Sequence, residues 1–440
     1  MLKRLLGVYY QKMKEMILRS KLRRCVISWI YLGMCKLHIP DNPLTNMAMK
    51  YLILILIPLL LSLLGCRDRS MAAYDKESNL PIIVDLEPSV LETIYLEDLI
   101  DSVWYIPLET KENSVIGKIT KVLFTKDEIF ICDAEITHSI FCFNHSGKAL
   151  FVIRDRGRGP GQYLTLTGFD VDTLNREVVI YDAQQRAFLK YDFSGGFVSK
   201  HIHGYVFDDF RILDDSRAIA YSQYIPNPSL KDQENSTVFI FNYKTRKPES
   251  TFLSYNGSLD LFSKIQGLLN YVSSNEMDHY FYDYLTNSIY SFRNNKFSKD
   301  WQLDYGRKNI PNEFWADATF DSHLEQINAG NFCGGVINFQ VLEKWVIGLF
   351  PYLSKSNIFI VSRGTHESFL LKEKVKSWKS GVPIFFVPPF HTTGREVVVV
   401  IEPAWISGIL SANKLDVSIL PMLKNVEINS NPILQVTRLK

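Results

Sequence analysis

From Ile82 onward the chain alternates runs of four to seven apolar, β-branched and aromatic residues with polar turns. The clearest runs are IFIC at 129–132, SIFCF at 139–143, ALFVI at 149–153, EVVIYD at 177–182, AFLKYDF at 187–193 and TVFIFNY at 237–243. Val, Ile, Phe and Tyr fit a pleated, half-buried surface, and the bounding Asn, Asp, Gly and Ser supply turn chemistry. The pattern therefore predicts short strands joined by hairpins. Helical periodicity is scarce, with 311–329 and 365–380 the better candidates. The expected class is all-β.

Self-similarity narrows the architecture. IFICDAEITHSIFCFNHSGKAL (129–150) and VVIYDAQQRAFLKYDFSGGFV (178–198) share one plan: a β run, Asp-Ala, a polar turn, a second β run and Ser-Gly. Asp133 and Asp182 lie 49 residues apart, and HYFYDYLTNSIYSFRNNKF (279–297) places Asp283 about two periods later. Further strand pairs are expected at 344–350 with 357–361, and at 383–387 with 396–401. A repeat of about 40–50 residues made of several antiparallel strands is the signature of propeller blades, which must cover one another to bury both faces. Residues 82–440 hold roughly seven such periods, or six with insertions. We expect six four-stranded antiparallel blades.

The residues before 82 have a different texture. Residues 1–50 carry ten Lys or Arg against two acids, and 51–65 carry no charge. The remainder, from Cys66, has 39 basic and 45 acidic residues, so the net charge of +2 belongs to the leader and the body is acidic. An acidic body excludes general nucleic-acid binding, which needs a basic surface. YLILILIPLLLSLLG (51–65) is shorter than the ~20 residues of a membrane span and fits the apolar core of a secretory signal. Leu63-Leu64-Gly65-Cys66 resembles the bacterial lipobox, which implies lipidation of Cys66 and cleavage before it. The alternatives are an ordinary signal peptide or an uncleaved anchor. The expected layout is an upstream extension at 1–48, a signal peptide at 49–65, a tether at 66–81 and the propeller at 82–440. Translation starting at Met47 or Met49 would account for the extension. Cys132, Cys142 and Cys333 remain in the body, without CxxC or zinc spacing, and buried inert thiols are expected.

Several segments together resemble the six-bladed β-propeller lipoproteins of Bacteroidetes, whose blades are related to NHL repeats. They are the lipobox leader, SVWYIPLET (102–110), IGKITKVLF (116–124), IFICDAE, GRGPGQY (157–163) and the closing SNPILQVTRLK. The resemblance is clearest over 82–200 and thins over 300–420. It implies a propeller fold, a cell-envelope address and no settled activity, and the expected lipid anchor places the chain at the outer membrane, facing the periplasm or the cell surface.

Candidate chemistry is sparse. GRGPGQY lacks the G-x-G-x-x-G spacing of a dinucleotide loop, Pro160 removes an amide donor, and a strand-like run follows. It reads as a joint between blades, while Arg156 and Arg158 beside Arg154 offer a patch for an anionic ligand. Asp133, Asp182 and Asp283 either form a carboxylate ring for cations or sugar hydroxyls, or cap their own turns. His201 and His203, with Asp208 or Asp209, could ligate a metal, but no third ligand is fixed by spacing. The aromatic run Tyr271, Tyr280, Phe281, Tyr282, Tyr284, Tyr290 and Phe292 reads as core. GTHES (364–368) lacks the context of a nucleophile. We therefore expect no cofactor and no metal. The leading function is a lipid-anchored module binding a glycan, peptide or protein. The competing one is a propeller hydrolase or lyase with acids or histidines at the central channel.

Overall fold

The computed structural model describes residues 81–255, 272–275, 278–316, 319–372, 391–406, 423 and 426–440. The expected extension, signal peptide and most of the tether, Cys66 included, lie outside the described residues. Six sheets form a six-bladed propeller. Blade I comprises Lys121–Phe124, Glu128–Asp133, Ser139–Asn144 and Ala149–Ile153, and blade II Gly168–Asp172, Glu177–Asp182, Ala187–Asp192 and Phe197–Ile202. Blade III comprises Asp209–Ile212, Arg217–Tyr221, Ser236–Asn242 and Lys247–Ser254, and blade IV Val272–Asn275, Asp278–Asp283, Ser288–Arg293 and Lys296–Asp304. Blade V comprises Ile337–Val341, Trp345–Tyr352, Lys355–Ser362 and Ser368–Lys372. Blade VI joins His391–Thr392, Glu396–Ile401 and Ile433–Leu439 to the early strand Ile100–Pro107. Within each blade the neighbours are antiparallel.

Radial stacking explains the apolar runs. The second strand of blade I, Glu128–Asp133, is buried at every residue because blades cover both of its faces. Blades I and II share a core of Phe130, Ile140, Phe169 and Leu189, and blades II and III one of Phe188, Phe207, Phe210 and Phe241. The blade IV aromatics expected as core are buried, from Tyr280 to Phe292, while Tyr271 lies outside the described residues. Cys132, Cys142 and Cys333 are free and buried, and burial pushes each thiol up to about 12.

The ring closes by pairing its two ends. Trp104 faces Val436 and Ile106 faces Leu434, so the strand expected to close the fold is held on both sides. Upstream of it, Ile82–Asp85 adds a fifth, parallel strand to blade IV and Thr93–Tyr95 one to blade V. The segment thus lines the outer edges of blades IV, V and VI in turn.

The helical expectations divide. Residues 312–316 form a 3-10 turn and Phe320–Asn328 an α-helix, where Thr319 Oγ1 accepts from Ser322 N at 3.1 Å and Ser322 Oγ from Thr319 N at 2.9 Å. In 365–380 the described part is instead the strand Ser368–Lys372, which pairs with Lys355–Ser362; this sheet edge outweighs weak helical periodicity. The expected pair at 344–350 and 357–361 is a hairpin in blade V. Of the other pair, 383–387 lies outside the described residues, and Glu396–Ile401 is a strand beside Ile433–Leu439. Among the described residues no helix is long and apolar enough to cross a membrane.

Candidate active or binding site at the channel mouth

The first strand of each blade is innermost. Gly168–Asp172 lies against Asp209–Ile212, Val272–Asn275 against Ile337–Val341, and His391–Thr392 against Lys121–Phe124. These strands start at the face that carries the crossovers between blades. Asp133 marks that face in blade I: its carboxylate joins the crossover residues Gly117 and Lys118 to the hairpin residues Ile136 and Thr137.

At this mouth three blades contribute charge to one network. Lys121 of blade I donates its ammonium to the Phe169 carbonyl of blade II at 2.9 Å and to Asp209 Oδ1 of blade III at 2.8 Å. Arg211 donates from Nη1 to the same Asp209 oxygen at 3.0 Å and to its neighbour's carbonyl, on Phe210, at 2.6 Å. Asp170 of blade II accepts the Ile212 N–H at 2.7 Å. Blades I and III are not adjacent, so their side chains meet only near the axis.

Burial sets the electrostatics. It pushes the Lys121 ammonium below its ordinary value, assisted by Arg211 and opposed by Asp209 and Asp170. Burial raises the Asp170 carboxyl against the pull of Arg211 and Lys121. It also opposes ionisation of Asp209, but Arg211 and Lys121 outweigh it and hold that carboxyl low. Asp208 differs. Burial, reinforced by Asp209, pushes it up to about 6. Its backbone N–H is bonded to Tyr221 O at 2.8 Å, while its half-buried carboxylate has no hydrogen-bond or ion-pair partner among the described residues. Two histidines stand beside the network. Burial and Arg211 hold His279 down to about 3, and burial and Lys121 hold His391 down to about 4. Both are neutral at physiological pH. His391 is only 7% exposed, and its Nε2 has no partner among the described residues.

Of the residues singled out in the sequence, Asp133, Asp182 and Asp283 lie around this mouth rather than in it. Asp133 also accepts the Thr137 hydroxyl at 2.9 Å. Asp182 repeats the scheme, accepting Leu164 N at 2.6 Å, Thr165 Oγ1 at 2.7 Å and Gln185 N at 3.0 Å. Burial opposes ionisation of both, but these donors hold each carboxyl below its usual range. Asp283 accepts from Tyr224 Oη, of blade III, and from Thr286 Oγ1, both at 2.6 Å. Each carboxylate is bound to its own turn and to a segment from the preceding blade.

GRGPGQY joins blades I and II on the same face. Gly159 N donates to Gln162 Oε1 at 2.7 Å, Tyr163 Oη to His138 O at 2.5 Å and Tyr191 Oη to Gly161 O at 2.7 Å. Arg156 and Arg158 are exposed, and neither guanidinium has a partner among the described residues. The histidine pair separates. His201 lies near Ser199 Oγ at 3.2 Å, whereas His203 is buried among Tyr181, Phe188 and Phe207 and accepts Tyr205 N at 3.1 Å. Asp208 and Asp209, grouped with them by sequence, belong to the mouth. Among the described residues no three His, Cys, Asp or Glu side chains are placed to hold a metal ion. Lys121, Asp170 and Arg211 carried no signal of their own, because their meeting depends on three blades at once.

Residues 81–438 match the family described as a domain of unknown function, DUF4934. No curated protein matches the chain. Among solved structures, a Bacteroides fragilis protein described as exported is 14% identical, with a TM-score of 0.64 over 82% of this chain and 100% of that one. A Bacteroides vulgatus member of the DUF4221 family is 9% identical, with a TM-score of 0.45 over 78% of this chain and 97% of that one.

Proposed function

The chain belongs to the DUF4934 family, and on that premise we propose that it is a binding module of the cell envelope. In this reading Cys66 carries the lipid, residues 66–81 form the tether, and the NHL-like propeller presents its channel mouth to a glycan, peptide or protein. The description of the Bacteroides fragilis relative as exported supports the address. The observation that carries the binding reading is the pre-organised mouth. Lys121, Asp209 and Arg211 are locked together by short bonds, while Asp208 and His391 Nε2 have no partners among the described residues. Fixed side chains beside unsatisfied hydrogen-bonding groups are how a polar ligand is oriented at low entropic cost. Arg156 and Arg158 would extend the site along the rim. Nucleic acid is no part of this reading.

A glycan and peptide screen, followed by hydrogen exchange on any complex, tests it. Protection is expected at 119–122 and 206–212. No retained ligand, or protection confined to outer strands, would sink the reading. For the anchor, palmitate labelling should disappear in Cys66→Ala; unchanged labelling removes it.

A second reading, a propeller hydrolase or lyase, is favoured by one feature of the mouth: Asp208 is half-buried without a partner among the described residues, and a carboxyl that burial pushes up to about 6 is suited to moving a proton near neutral pH. Turnover of a retained ligand, lost in Asp208→Asn, would select it.

A further inference from the structure

Among the described residues, the ionisable side chains that meet at the mouth are odd in number. Its connected groups are two cations, Lys121 and Arg211, and three carboxylates, Asp170, Asp208 and Asp209. Asp209 takes both cations at hydrogen-bond distance, and Asp170 takes a backbone N–H and the field of Arg211. Asp208 takes none, although it is half-buried, and an unpaired carboxylate removed from water is costly. A second unsatisfied group lies beside the same mouth. His391 opens the inner strand of blade VI, which lies against Lys121–Phe124, and its buried Nε2 has no partner. A neutral imidazole nitrogen can accept or donate one hydrogen bond but cannot balance a carboxylate.

We infer that the channel mouth binds a ligand through a primary ammonium group, with Asp208 as its counter-ion. This rests on the binding reading above and names the chemistry that site selects. An ammonium restores the charge balance and supplies three N–H donors, of which Asp208 takes at least one. A hydroxyl would satisfy a hydrogen bond and leave the charge unbalanced. A carboxylate or phosphate ligand would add a fourth negative group beside Asp208. The ammonium can sit on an alkyl chain, as in a lysine side chain, or on a sugar ring, as in an amino sugar.

The charged and titratable groups facing Asp208 are Asp209, Lys121, Tyr181 and Tyr221. Burial raises both phenols above the neutral range, and Asp209 stays ionised. Asp208 is therefore the member of this group that loses its charge between pH 7.5 and 5, and protonation removes the counter-ion.

Isothermal titration of the full chain tests this with two matched pairs of probes. Glucosamine is set against N-acetylglucosamine, and Nα-acetyl-lysine amide against Nα-acetyl-norleucine amide. At pH 7.5 at least one ammonium probe is expected to bind about tenfold more tightly than its neutral counterpart, and which pair responds distinguishes the sugar from the alkyl source. That preference should fall about tenfold by pH 5 and vanish in Asp208→Asn. Glu249→Gln, on the outer strand Lys247–Ser254 of blade III, should retain it. Equal binding of charged and neutral probes would overturn the ammonium assignment while leaving the mouth a binding site. No binding by any probe at millimolar concentration, or binding unchanged in Asp208→Asn, would also overturn it. The pH comparison is made on the unaltered chain, so it holds even if the variant folds poorly.

Discussion

Lys121 Nζ lies 2.8 Å from Asp209 Oδ1, although blade II stands between the blades that carry them. About a fifth of each side chain is exposed, at 20% and 19%, so the pair is largely out of water. Removing one partner leaves a buried charge, and Lys121→Met or Asp209→Asn should each cost about 2–4 kcal/mol in urea unfolding. Because the two share one interaction, the double variant should fall short of the sum by at least ~1 kcal/mol. Simple additivity would show that the pair does not hold the blades together.

Asp208 should have the opposite effect on stability. A carboxyl raised to about 6 binds its proton more tightly folded than unfolded. The native state then holds more protons between the unfolded value near 4 and the folded value near 6, so stability falls as pH rises through that window. Asp208→Asn should remove the slope and raise stability at pH 7 by up to about 3 kcal/mol. Thermal unfolding from pH 4 to 8 measures it. A less stable variant at pH 7 would mean that the carboxylate has a stabilising partner.

Asp133 and Asp182 should behave as structural pins with an acid limb. Asp133 accepts five hydrogen bonds and Asp182 four, and all of them would be lost in Asp133→Ala and Asp182→Ala. Stranding several part-buried donors should cost about 2–4 kcal/mol at pH 7. Both carboxyls are held below their usual range, so this contribution is present above the unfolded value and lost as pH falls through the folded one. The variants should therefore differ most from the parent at pH 7 and converge with it in strong acid. An effect constant across that range would mean that ionisation plays no part.

The split between legible and illegible features follows from the range of the interactions. A hairpin is local, so IFICDAE and VVIYDAQ displayed both their strands and the aspartate that ties each turn. The spacing from Asp182 to Asp283 likewise left room for blade III between them. Blade III itself was obscured because its second strand ends at Tyr221, without Asp, and a fourteen-residue excursion to Ser236 separates it from the third. Ser368–Lys372 is hard to read as a strand because an outer strand carries little alternation of its own and depends on its neighbour. The mouth was the least legible. Lys121, Asp170 and Arg211 lie in ordinary-looking strand starts, and only ring closure brings them together.

Gly161 links the most distinctive motif to packing that the sequence did not reveal. Its φ is +73°, in the left-handed region that favours glycine, and an added Cβ would come within 2.6 Å of the Phe197 ring on blade II. Gly161→Ala should therefore carry two separable penalties, backbone strain and a clash, together about 2–3 kcal/mol. Phe197 is on an outer strand and 43% exposed, so Phe197→Ala alone should cost about 1 kcal/mol or less. In the double variant the clash disappears and the strain remains, so the combined loss should be smaller than the sum by about 1 kcal/mol. Tyr191 Oη would still bond the carbonyl of residue 161, which keeps the loop in place while the two penalties are compared. Denaturant unfolding of the four proteins gives the cycle. Equal loss in Gly161→Ala with and without Phe197 would assign the whole effect to the backbone, and no loss in either would show that the joint tolerates a side chain at this position.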